Sequence, residues 1–183
     1  EKPVNPFAYN LKPLDTRKPV LSQVFASVMT PDFQINERIL LSNKKSKFEI
    51  AAWRIGIMVN AHDLMNGASN RNGIYAISLS VDDKIVYSMK IDSFSFEETR
   101  SINGMIDYER KKLAKQTLVQ CFKLPGNESS LIHNLDQLQG LIQLTEGRYQ
   151  KINLKLYDYD KNITEREFYV KRKANMKEYD SPK

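Results

Sequence analysis

The chain has 183 residues, 41% of them hydrophobic and 27% charged, and its 28 Lys+Arg stand against 22 Asp+Glu for a net charge of +6. That length supports one sizeable core, and the composition excludes an intrinsically disordered chain. No run approaches the roughly 20 apolar residues of a membrane-spanning helix. The single cysteine, Cys121, excludes an internal disulfide. Lying between Val119 and Phe122 with no base nearby in sequence, it reads as a buried, inert thiol. The positive charge is scattered over Lys44-Lys45-Ser46-Lys47, Arg110-Lys111-Lys112 and Lys171-Arg172-Lys173. No phosphate-binding glycine loop, zinc-finger spacing or RNA-binding aromatic motif accompanies it, so it reads as solvated surface and not as a nucleic-acid site.

In chain order, residues 1–19 carry Pro3, Pro6, Pro13 and Pro19; proline removes donors and stiffens the backbone, which predicts a linker. The opening Glu1-Lys2-Pro3-Val4 reads as the interior of a longer protein. A strand is expected over 20–29 and a short one over 38–41. Trp53, Ile55, Ile57, Val59 and Ala61 alternate with Arg54, Gly56, Met58 and Asn60, the period of a strand with one buried face. An Asn/Gly/Asp-rich loop follows over 62–72. Tyr75, Ile77, Leu79 and Val81, then Asp82-Asp83, then Ile85, Tyr87, Met89 and Ile91 predict a hairpin. Ser95-Phe96-Glu97-Glu98 fits a capping box, and 108–121 is rich in helix formers. Pro125-Gly126-Asn127 marks a turn. Strands are expected again over 140–144, 152–156 and 164–170, with turns at Glu146-Gly147 and 158–162. The expected fold is mainly β: an immunoglobulin-like antiparallel β-sandwich over 20–171, with an irregular or helical insertion around 93–124 and a basic, loosely ordered tail over 172–183. Trp53, Ile57, Val59, Ile77, Leu79, Leu154 and Leu156 are expected in its core.

Three groups could carry chemistry. Asp158, Asp160 and Asn162 open like a calcium loop, but Ile163 stands where the sharp turn needs Gly and Tyr169 where a bidentate Glu belongs, which excludes an EF-hand. The plain reading is a turn held by Asp and Asn side chains. Glu97, Glu98, Asp107 and Glu109 are the densest carboxylates; with Arg100 and Arg110 close by, ion pairing explains them with fewer assumptions than glycoside hydrolysis. Phe94, Phe96, Tyr108, Tyr157, Tyr159 and Tyr169 could stack on sugar rings; core packing is the default for the Phe pair, whereas alternation leaves some of Tyr157, Tyr159 and Tyr169 outside.

Ile91-Asp92-Ser93-Phe94-Ser95-Phe96-Glu97-Glu98-Thr99-Arg100-Ser101-Ile102-Asn103 and Ile106-Asp107-Tyr108-Glu109 resemble the C-terminal region of a Bacteroidota family of exported, lysostaphin-type (LytM-like) zinc metallopeptidases. Pro3-Val4-Asn5-Pro6 is similar to the linker after that family's catalytic domain, Ala61-His62-Asp63 with Gly67 to a loop, and Pro125-Gly126-Asn127 and Asp158 with Asn162 to later turns. Asp82-Asp83 departs from the Asp-Gly usual there. The resemblance, running from about Pro3 to Lys171, implies a non-catalytic accessory domain that positions or regulates an upstream peptidase domain of the same polypeptide, in the periplasm or at the cell surface. The alternative is a carbohydrate- or peptidoglycan-binding module. No catalytic or metal residue carries over: a catalytic zinc needs three protein ligands and an open position, whereas the chain has two histidines, His62 and His133, and no His-x-His. Zinc is expected in the upstream domain alone, and no cofactor here. The expected bracing or docking residues are Glu97, Glu98, Arg100, Asp107 and Glu109, with Asp107 and Glu109 facing Arg110; the candidate ligand-stacking residues are Tyr157, Tyr159 and Tyr169.

Overall fold

The structure, a computed structural model, describes Tyr9, residues 15–93, Ser101 and residues 103–174. The chain is mainly β. Its strands are β1 (Val20–Met29), β2 (Ile35–Leu40), β3 (Lys47–Ile50), β4 (Arg54–His62), β5 (Ala76–Val81), β6 (Lys84–Lys90), β7 (Val119–Gln120), β8 (Ile132–Leu135), β9 (Ile142–Gln143), β10 (Gln150–Tyr157) and β11 (Ile163–Arg172), with the helix α1 (Tyr108–Ala114) before β7. One sheet runs β2-β1-β4-β7, with β9 also paired to β4; the other runs β3-β11-β10-β5-β6-β8. The pairings are antiparallel except β3 with β11, which is parallel.

The two sheets share one apolar core. Val24 and Ala26 of β1 and Ile55, Ile57 and Val59 of β4 face Ile77, Leu79, Tyr87, Ile152, Leu154, Leu156, Phe168 and Val170 of the other sheet. Six of the seven expected core residues are buried. Trp53 is half-buried instead, because it precedes β4 and is capped by the Arg172 guanidinium, 3.7 Å from its ring.

β4 is covered on its second face as well. Met58 packs there with Phe25, Met29, Leu118, Phe122 and Leu141. The expected one-sided strand is thus a two-sided one, and Gly56 is required: a Cβ at that position would lie 2.4 Å from the Phe122 ring. The residues after α1 supply this second cover. The helix stops at Ala114, not at 121, because Lys115 turns into the left-handed region (φ 52°). Gln116 to Leu118 then run out extended and deliver β7 to Met58 and Val59 of β4. The stretch expected as an insertion therefore ends as part of the sheet.

In the β5–β6 hairpin, Leu79 pairs with Tyr87 and Ser80 with Ile85, so Val86 is an extra residue. This bulge turns Val86 inward and leaves Ile85 exposed, against the expected alternation. Asp82 and Asp83 both take positive φ, 47° and 67°, as a two-residue type I′ turn demands. Asp83 stands at the glycine position and pairs with Lys151, while Asp82 accepts from Lys151 N and Arg148 Nη2. β3 and β8 were not expected, and β11 runs on to Arg172, whose side chain pairs with Glu146. Residues 175–183 lie outside the described residues.

Gly56→Ala is expected to destabilise by about 1–3 kcal/mol through forced displacement of Phe122, and Phe122→Leu in the same chain should recover part of the loss. Leu154→Ala should cost about 2–5 kcal/mol. Urea denaturation midpoints check all three; an unchanged midpoint for Leu154→Ala would mean that the register is wrong.

Candidate functional site

β4 ends at His62, and the chain crosses to the second sheet through residues 63–75. On an extended backbone adjacent side chains point to opposite sides, and here the two sides receive opposite charge. His62 faces a cleft that it shares with Arg71. Asp63 faces the other way, toward Asp15 and Asp158, with carboxylate oxygens of all three within 4.8 Å of one another.

Each acid is brought in by its own turn. Asp158 begins the β10–β11 turn: its carboxylate accepts from Asn162 N at 2.8 Å and Asn162 Nδ2 at 2.6 Å. The turn reading of 158–162 thus describes its geometry, and Asn162 has a second task. Its Nδ2 also donates to the Asp15 carbonyl at 3.2 Å. Asp15 is buried, 7% exposed, and its Oδ1 accepts from Arg17 N and Asn66 N, both at 3.1 Å. Further bonds follow: Asn66 Nδ2 to Thr16 Oγ1, Arg17 Nη1 to Met65 O and Ala68 O, and Thr164 Oγ1 to Pro19 O. Residues 15–19, expected as linker, are thus fastened to the 62–68 loop and the 158–164 turn. Neither Asp15 nor Asp63 was legible as a site residue, since the three acids are far apart in sequence.

Burial, reinforced by the neighbouring Asp158 and Asp15, raises the Asp63 carboxyl above its ordinary value. Asp63 Oδ1 is buried with no hydrogen-bond partner among the described residues. A proton on Asp63 relieves this repulsion, and a hard, oxygen-seeking cation held by Asp15, Asp63 and Asp158 would relieve it too. The group does not fit zinc, which favours nitrogen and sulfur: it contains no His or Cys, and His62 on β4 and His133 on β8 belong to different sheets.

Next to the acids, Tyr157 and Tyr159 line an open hollow of about 580 Å³ with Tyr75, Lys90, Asp92 and Lys161. Tyr159 meets Tyr75 edge to face at 5.1 Å, Tyr75 donates its hydroxyl to Asp92, and Lys90 pairs with Asp92 at 2.8 Å. Burial, then the Asp92 hydrogen bond, raises the Tyr75 phenol. Tyr169 does not join them: it stands on β11 with its hydroxyl on Glu167. Tyr75, missed as a ligand-stacking candidate, was read only as a strand residue.

Of the expected bracing residues, Glu97, Glu98 and Arg100 lie outside the described residues, as do Phe94 and Phe96. Asp107 and Glu109 meet Arg38 of β2, not Arg110. The Arg38 guanidinium donates to both Asp107 oxygens, at 2.5 and 3.1 Å, and to Glu109 at 2.7 Å. Burial opposes its charge, yet those bonds hold it above its ordinary value. Asp107, 3% exposed, also caps α1 through Arg110 N. Arg110 is drawn elsewhere, its guanidinium lying 5.7 Å from the centre of the Phe25 ring. Cys121 is fully buried, which pushes its thiol up to about 12.

With this geometry in hand, comparison with protein-family models, curated proteins and solved structures returns no match. No helix among the described residues is long and apolar enough to cross a membrane.

A raised carboxyl disfavours the charged form in the folded chain, so it opposes folding above the ordinary carboxylate range and not below it. Asp63→Asn is therefore expected to raise the thermal midpoint at pH 7 in the presence of a chelator. The gain should fade as the pH falls into the carboxylate range, where Asp63 is protonated in folded and unfolded chains alike. A gain that is constant with pH would show that Asp63 carries no such penalty.

Proposed function

We propose that this chain is an immunoglobulin-like accessory domain, without catalytic chemistry of its own, that holds an upstream zinc endopeptidase domain of the same polypeptide in a fixed position on peptidoglycan, outside the cytoplasm. The observation that carries the reading is the fastening of residues 15–19. In the family that the sequence resembles, the corresponding stretch leads out of the peptidase domain. A loose tether would need no buried carboxylate, yet Asp15 is buried and bonded to two separate segments of the domain. Anchoring both the backbone and the side chains of a connecting segment fixes the direction in which it leaves the fold.

The immunoglobulin-like part of the reading is supported by strand order. β1-β4 with β7 and β9 resembles an A-B-E neighbourhood, and β11-β10-β5-β6 a G-F-C-C′ one. The chain crosses between the sheets after β4, where the B–C connection of such a fold lies. The Arg38–Asp107–Glu109 cluster supports bracing within the domain: it ties the segment before α1 to β2 and leaves those carboxylates committed to a guanidinium.

A second reading, direct binding of wall carbohydrate, is favoured by the tyrosine hollow, where Tyr75, Tyr157 and Tyr159 offer ring faces and edges beside polar groups. The two readings are compatible, since a positioning domain gains from its own grip on the wall.

Asp15→Ala removes an acceptor for two backbone donors and should cost this domain about 1–3 kcal/mol while leaving it folded. In the intact polypeptide the variant should digest whole peptidoglycan more slowly yet cleave a short soluble peptide at the unaltered rate. Equal rates on both substrates would remove the positioning role. The chain by itself, supplied with zinc, should show no chelator-sensitive wall lysis.

A further inference from the structure

The side of the crossing loop opposite the acids carries a concentrated positive charge. Two adjoining open cavities meet at His62 and Arg71. One, of about 680 Å³, lies between the end of β4, residues 71–73 and the segment after α1; the other, of about 570 Å³, lies beneath Arg17 and residues 64–71. Among the described residues, their walls bear Arg17, Arg71, Lys115 and His62, with Asn72 and Gln116, and no Asp or Glu.

Elsewhere on the surface several cations are paired: Lys90 with Asp92, Arg148 with Asp82, Lys151 with Asp83, Lys155 with Glu165, Lys171 with Glu49. Among the described residues no ion pair takes up Arg17, Arg71 or Lys115. Their positions are nonetheless set by the fold. Arg17 is held by its two bonds to Met65 O and Ala68 O, both through Nη1. Arg71 precedes Asn72, whose backbone exchanges two 2.9 Å hydrogen bonds with Asp63. Lys115 sits at the left-handed residue that ends α1, its amide bonded to Arg110 O.

Among the described residues the walls contain no Phe, Tyr or Trp on which a base could stack, and the cations cluster in one place, not along a track. Both features are wrong for a nucleic-acid strand. A guanidinium fork with neighbouring amides suits a discrete carboxylate flanked by peptide groups.

We propose that this cleft binds the carboxylate of an acidic peptide, with Arg71 and Arg17 engaging its oxygens, Lys115 adding charge, and the Asn72 side-chain amide meeting an adjacent peptide group. On the wall-associated role proposed above, on which this assignment rests, the ligand is a peptide stem of peptidoglycan. The cleft then reads the peptide.

The test is calorimetric titration of the whole chain with three probes: a soluble disaccharide-peptide with free stem carboxylates, the same fragment with those carboxylates amidated, and inorganic phosphate. The acidic fragment should bind and the amidated one should not. Arg71→Ala and Lys115→Ala should each weaken binding by about tenfold, as loss of a hydrogen bond to a charged group does, and Arg71→Lys should recover part of it. Both residues are exposed, and unchanged thermal midpoints would confirm that the variants fold. Binding of the acidic fragment that ignores both substitutions would overturn the cleft and leave the wall-associated role standing. Phosphate binding that depends on Arg71, without binding of the fragment, would overturn the peptide assignment and leave the wall-associated role to its own test. No binding of any probe would overturn the inference.

Discussion

β4 is the strand on which the rest of the arrangement depends, because it is covered on both faces. Ile55, Ile57 and Val59 look into the core shared with the second sheet, while Gly56 and Met58 lie beneath Phe122 and Leu118. Full burial of each large apolar side chain contributes about 1.5–3 kcal/mol, so neither face can be given up cheaply. A strand fixed this firmly cannot slip by one residue without turning both sets of side chains the wrong way. The β1–β4 register shifts once, between Leu21 and Gln23, but β4 itself runs on to His62, and its alternation leaves His62 facing one way and Asp63 the other.

That separation sorts charge across a single loop. Asp63 joins two other acids that hold residues 15–19 against the domain, and His62 joins arginines and a lysine around an open cleft. One feature serves cohesion and the other is the cleft proposed for recognition, and both are positioned by the same backbone. The crowding of Asp15, Asp63 and Asp158 opposes folding at neutral pH, but the hydrogen bonds from Asn66, Arg17 and Asn162 are made to those same groups. Such partial offset is common where a site must be pre-formed.

The sequence made the strands legible wherever a single face is buried over several residues. β5 and β10 follow their alternation closely, since period-2 hydrophobicity is what one-sided burial requires. It was less informative where a local device intervened. The β5–β6 bulge exchanged Ile85 for Val86, the left-handed Lys115 cut α1 short, and β7 and β8 are too brief to display a period. Gly56 and Met58 looked like an outward face because nothing local announces that Phe122 will return to cover them. The candidate site was less legible still. The turn chemistry of Asp158 and Asn162 could be read directly, as could the opposition of His62 and Asp63. Asp15, Tyr75 and Arg71 acquire meaning only when the topology brings distant segments together, and Asp107 found Arg38 from β2 in place of its sequence neighbour Arg110.

The central claim is that residues 15–19 leave this domain in one fixed direction and so orient whatever precedes them. The most direct measurement is the distance distribution, by double electron–electron resonance, between a spin label on the proposed upstream peptidase domain and one at exposed Ile85 of this domain. A narrow distribution that broadens on Asp15→Ala is the expected result. A distribution already broad in the unaltered protein, and indifferent to Asp15, would contradict the account.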